Sequence, residues 1–137
     1  LYALHESLLM LKEEGLEASH ARHRLHHQAL VAGLEALGLK MAVAAAHRLP
    51  QLNAVCIPEG IDDARLRQAL LQDFNLEIGA GLGALAGKTW RIGLMGQACT
   101  RNNVILCLTA LSTALQQQGL HTDTSAALVA ANAVLSA

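Results

Sequence analysis

"GAGLGALAGKTWRIGLMG", Gly79 to Gly96, holds six of the chain's eleven glycines, together with a Lys-Thr pair and one arginine inside an apolar run. Its reading decides the fold. A phosphate loop of the Walker type needs Gly, four residues, then Gly-Lys-Ser/Thr, followed by a helix whose N-terminal amides hold the phosphate. Here Leu82 stands where the first glycine belongs, and Gly83 comes one residue late. The run after Thr89, "WRIGLM", has strand character and not helix character. Gly81-x-Gly83-x-x-Ala86 loosely fits a dinucleotide fingerprint and fails for the same reason. The glycines therefore predict a bend that needs positive φ or close backbone approach. Alternation in "TWRIGLM" puts Trp90, Ile92 and Leu94 on one face of a strand and Arg91, Gly93 and Met95 on the other. A planar guanidinium with clearance beside it suits bidentate capture of a carboxylate. The competing reading is an arginine that snorkels to water or pairs with a structural acid such as Glu77.

Outward from this strand, the pattern is helical on both sides. Leu1, Leu4, Leu8 and Leu11 recur at helical spacing up to Gly15. Residues 16–37 predict a long second helix, with Ala18, Ala21, Leu25, Ala29 and Ala32 as its apolar stripe, extended by Leu30, Leu34 and Leu37. Gly33 weakens it by about 1 kcal/mol relative to alanine. "LNAVCI" (52–57) reads as a strand, and Asp62 or Asp63 as the N-cap of a third helix. Residues 75–79 suggest a short extended segment. Thr100 caps a fourth helix, which runs to Gly119, and residues 123–135 suggest a fifth. The order α-α-β-α-β-β-α-α has no regular βα alternation. It predicts an α+β fold: a small, mostly antiparallel sheet covered on one face by helices.

Composition sets outer limits. The chain has 137 residues, a net charge of −1, 53% hydrophobic residues and only 2% aromatic ones. Leu and Ala must do the packing, and nothing electrostatic favours nucleic acid. Cys56, Cys99 and Cys107 form no C-x-x-C pair and read as buried thiols of a reducing compartment. No apolar run reaches the roughly 20 residues that span a bilayer. A first residue that is Leu, inside a helical pattern, leads us to expect a piece of a longer protein.

The histidines raise a metal question. His20, His23 and His27 share one helical face with Glu17 one turn earlier, a spacing that could collect zinc. Arg22 and Arg24 sit among them and no second ligand cluster accompanies them, so a solvated helix face is the reading adopted and no metal site is assigned. A further alternative is a non-catalytic helical module that pairs through its Leu/Ala stripes, with the first helix as anchor.

From "LPQLNAVCIPEGIDDARLRQALLQDFNLEIGAGLGALAGKTWRIGLMGQACTRNNV" the chain resembles the C-terminal domain of class V pyridoxal-phosphate aminotransferases, of the alanine–glyoxylate and serine–glyoxylate type. That group's frame is a proline-led strand, "PEGID", a helix, "IEIGGGLG", "GKVWRIGLMG", then a helix after "T-x-x-N-V". The opening "LYALHESLLMLKEEGLEASHARHR" resembles the helix leading into that domain. The match runs to about Gly119. It implies a domain over residues 1–120 and a tail over 121–137, with the large cofactor domain outside this chain. It also implies the small-domain fold of a fold-type I pyridoxal-phosphate enzyme, a homodimer, and a cytoplasmic transaminase passing nitrogen from an amino acid to glyoxylate. Arg91 occupies the position that binds the substrate α-carboxylate. None of Lys12, Lys40 and Lys88 stands at the Schiff-base position, so no catalytic residue is expected in this chain and the segment alone is expected to be inactive. Asn53, Gln97 and "NAVCIPEG" are most similar to the subgroup that uses ureidoglycine in purine breakdown.

Overall fold

The computed structural model describes all 137 residues. Five α-helices and three strands occur in the predicted order: α1 (Tyr2–Glu14), α2 (Leu16–Ala36), β1 (Leu52–Cys56), α3 (Asp63–Phe74), β2 (Gly79–Ala80), β3 (Thr89–Gly93), α4 (Arg101–Gln117) and α5 (Thr124–Leu135). The sheet order is β1-β3-β2, with both pairings antiparallel. The expected α+β architecture is therefore the observed one. Residues 40–42 run along the outer edge of β1, where Cys56 N–H donates to Lys40 O and Ala42 N–H to Ala54 O.

The N-termini of α3, α4 and α5 are capped by side chains. Asp62 Oδ1 accepts from Arg65 N at 3.0 Å, Thr100 Oγ1 from Asn103 N at 3.2 Å, and Asp123 Oδ1 from Ala126 N at 2.9 Å. Each satisfies one of the amides that a first helical turn leaves unpaired. Asn75, at φ 51°, closes α3 in the left-handed region. The extended segment expected over 75–79 is accordingly shorter and later, confined to Gly79–Ala80.

The core lies between the sheet and the helices. Trp90, Ile92 and Leu94 are buried against it with Val55, Leu66, Leu70, Val104, Leu108 and Leu111. Trp90 is the largest fully buried side chain, and its Nε1–H donates to Asp63 Oδ1 at 2.9 Å. That bond removes the cost of burying an indole donor. Asp63 also pairs with Arg67, whose Nε lies 2.8 Å from Oδ1. Arg67, ahead of Trp90, holds the Asp63 carboxyl below its usual range against a smaller opposing effect of burial. α5 packs its buried Ala127 and Ala131 against α2 and α4.

Two expectations are corrected here. The stripe of α2 is buried only in its second half, at Ala29, Leu30, Val31, Gly33 and Leu34; Ala18, Ala21 and Leu25 are exposed. In the first half the buried side is Ser19 and His23, because that turn packs against polar loop backbone and not against apolar side chains. Gly33 is more than a weak point. A Cβ there would lie 2.3 Å from Leu108 Cδ1, so its absence lets α4 approach. α1 buries no residue, and Leu4 and Leu8 are exposed. No helix is long and apolar enough to cross a membrane.

Candidate functional site: the Arg91 groove

Arg91 is the central residue of the central strand. Its partners in register are Ala54 on β1 and Gly79 on β2. Side chains opposite one another on a sheet lie about 5 Å apart, so a large residue at either position would crowd the guanidinium. Both partners are small. A Cβ on Gly79 would lie 3.1 Å from Arg91 Nη2 and 3.4 Å from Cζ. Arg91 Nε–H donates to Ala80 O at 2.8 Å. That single bond orients the plane of the fork and leaves Nη1 and Nη2 without a protein acceptor. Glu77 is not its partner: the ion pairs of the molecule are Arg22–Glu14, Arg48–Glu35 and Arg67–Asp63. Arg91 is half-buried on the open face of the sheet, while Gly93 and Met95 beyond it are exposed. The alternation read from "TWRIGLM" holds at all six positions from Trp90 to Met95.

The guanidinium lines a groove of about 250 Å³ bounded by Met41, Leu49, Leu52, Leu82 and Leu85. Arg48 also lines it but is engaged elsewhere, donating to Val43 O at 2.8 Å and pairing with Glu35. The sequence places the clearance at Gly93, on the same strand. It comes instead from the cross-strand positions Ala54 and Gly79, which only the pairing register reveals. The orienting acceptor, Ala80 O, is a backbone atom and leaves no mark in the sequence.

The glycine loop closes on itself. Gly81 N–H donates to Thr89 O, Leu85 N–H to Leu82 O, Ala86 N–H to Gly83 O and Lys88 N–H to Leu85 O. Gly83 and Gly87 take φ of 54° and 69°, and a Cβ on Gly81 would lie 2.0 Å from Leu85 O. These amides are committed to the bend, and it leads into a strand, not a helix. The loop is no phosphate cradle. Lys12, Lys40 and Lys88 are all exposed, and no lysine lines the Arg91 groove. The groove's charged lining is thus guanidinium, from Arg91 and Arg48, with no amine among it.

The histidine face is not a solvated one. His23 is buried, and both its ring nitrogens are used: Nδ1–H donates to Ser19 O at 2.7 Å, and Nε2 accepts from Gly96 N at 3.1 Å. His27 Nδ1–H donates to Asn53 Oδ1 at 2.7 Å. Only His20 faces water. With these donor atoms committed, the triplet gives the zinc alternative no support. Asn53 is buried on the helix side of β1, away from Arg91, and Gln97 is exposed in the loop after β3. Cys99 and Cys107 are buried, and burial pushes the Cys107 thiol up to about 12. Cys56, expected among the buried thiols, is half-exposed because it points to the open face of the sheet.

Fold and site together define a class: a small α+β unit that presents an arginine without an acidic partner on the open face of an antiparallel sheet. No family model matches the chain. The similarities to individual proteins are close. The chain is 42% identical over 131 residues to the (S)-ureidoglycine–glyoxylate transaminase of Bacillus subtilis, covering 96% of this chain and 32% of that protein. It is 45% identical over 117 residues to the alanine–glyoxylate aminotransferase of Callithrix jacchus, covering 85% and 28%. The crystal structure of the Bacillus subtilis ureidoglycine–glyoxylate aminotransferase superposes with a TM-score of 0.95 at 40% identity, over 99% of this chain and 35% of that one. The chain is thus a homologue of the glyoxylate aminotransferases. It spans about a third of the length of the curated relatives it matches.

Proposed function

We propose that this chain is the carboxylate-binding part of a pyridoxal-phosphate-dependent aminotransferase that uses glyoxylate as amino acceptor. The observation that carries the reading is Arg91. Its guanidinium is oriented by Ala80 O, flanked by Gly79 and Ala54, and free of any acidic partner. Such a fork accepts two carboxylate oxygens in parallel. Holding amino donor and glyoxylate in turn by that group fixes the α-carbon in one place. Positioning of this kind supplies several kcal/mol of barrier reduction, on the order of 7–11 at its extreme. The cofactor, held by a large domain outside this chain, would supply the electron sink for nitrogen transfer.

We favour ureidoglycine as donor over alanine or serine, because the similarity to the ureidoglycine enzyme runs over 96% of the chain against 85% for the alanine enzyme. With that donor the reaction belongs to purine catabolism. Three unpaired cysteines fit a reducing compartment such as the cytoplasm, and a homodimer is the assembly we propose.

The test is Arg91→Lys in the full-length enzyme. Lysine keeps the charge but loses the fork. KM for glyoxylate and for the amino donor should rise, and kcat/KM should fall by at least about tenfold. An unchanged kcat/KM for carboxylate substrates would remove Arg91 from the site.

A further inference from the structure

The segment after β3 is held by side chains from far away in sequence. Gly96–Ala98 forms one turn of 3-10 helix between β3 and α4, and Gly96 takes φ of 53°. Arg22 Nη1 donates to Gly96 O at 2.9 Å and to Cys99 O at 2.8 Å. His23, the next residue, accepts from Gly96 N–H on Nε2. Because its Nδ1–H donates to Ser19 O, the proton sits on Nδ1 and the Nε2 lone pair is available to Gly96. The remaining edge of Arg22 forks onto Glu14, with Nη2 2.8 Å from Oε2. Two consecutive residues of α2 therefore take both the N–H and the C=O of Gly96.

Burial alone could cover this turn with apolar side chains. Directional bonds to both backbone groups of one residue also fix where it lies along and around the strand axis. The last bond that closes the ladder before it is Leu94 N–H to Gln51 O at 2.8 Å. Gly96 lies beyond Arg91 at an extended-chain distance of about 17 Å, with only Leu94 and Met95 between the end of β3 and the turn.

We infer that Arg22 and His23 are positioning residues for the carboxylate site: they fix the exit of β3 and, through it, the strand that carries Arg91. The inference rests on the role proposed above for Arg91. Because Arg91 is the group proposed to hold the substrate carboxylate, a small slip of its strand weakens that hold and registers in KM.

The experiment is steady-state kinetics of full-length variants, with melting temperature measured alongside. His23→Leu removes the acceptor for Gly96 N–H, and His23→Gln restores one at similar reach. We expect His23→Leu to raise KM for glyoxylate about tenfold with kcat changed far less, and His23→Gln to recover most of the loss. Arg22→Lys, which cannot serve two carbonyls and Glu14 together, should move KM the same way; it carries the test if His23→Leu does not fold. Variants that lower the melting temperature and leave KM unchanged would show that the clamp serves the fold alone, and the inference would be overturned. Arg91→Lys is run in parallel. If it leaves kcat/KM intact, the carboxylate reading itself fails. If it lowers kcat/KM while the clamp variants leave KM alone, only the positioning inference fails.

Discussion

Arg91 is legible in the sequence as a candidate because the strand alternation places it outward and the family resemblance gives that position a carboxylate, whereas the alternation alone leaves snorkelling to water open. The group that orients it is not, since Ala80 O is backbone and Gly79 acts through an absent side chain. The polar partners of the core obey the same rule. Asp63 is legible as a helix-start residue, but its bonds to Trp90 and Arg67 arise only once α3 lies over β3. These bonds make a pH prediction. The folded carboxyl is held below the unfolded value of about 3.9, so its stabilisation is complete above that value and is lost as pH falls through the lower folded one. Asp63→Asn should therefore cost about 1–2 kcal/mol at neutral pH, and the difference from wild type should shrink in acid. Denaturant titrations at pH 7 and pH 3 measure both; a gap that does not narrow would mean the ion pair contributes nothing.

At the scale of elements, periodicity and caps locate all five helices and both five-residue strands, because those signals are local. The first half of α2 misleads for a physical reason. Ala18, Ala21 and Leu25 have the right spacing for a buried stripe, yet the neighbour that α2 meets there is loop backbone, which demands polar side chains. Ser19, Arg22 and His23 provide them. The histidine triplet misleads in the same way, reading as a solvated face where the structure buries His23 and pairs His27 with Asn53, leaving His20 to water. The glycine bend is the element whose shape most directly borders the groove. Gly81→Ala should break it, because the new Cβ would overlap the Leu85 carbonyl, and a backbone atom has no rotamer through which to yield. We expect a loss of more than about 2 kcal/mol and of the pairing between Gly81 N–H and Thr89 O. Slow amide exchange at position 81 persisting in the variant would refute this.

The whole molecule is a packed α+β unit with one helix left over. α1 buries nothing, and its Leu4, Leu8 and Leu9 face solvent, with Leu1 before it and the exposed Leu16 of α2 after it. An apolar helix face of that kind fits a chain that makes up about a third of its relatives' length. The sequence displays the stripe of α1 but cannot say that its own domain leaves it uncovered, since coverage is a tertiary fact. The same holds for the division of labour proposed here. On the proposed reading, the arginine that grips a carboxylate lies in this chain and the residues that hold the cofactor lie outside it. The most direct test is a crystal structure of the full-length enzyme with its amino-acid substrate bound. Both carboxylate oxygens should lie at about 2.7–2.9 Å from Arg91 Nη1 and Nη2, with Nε still on Ala80 O. A carboxylate held by other groups, with Arg91 turned to solvent or to an acid of its own protein, would contradict the carboxylate-binding role.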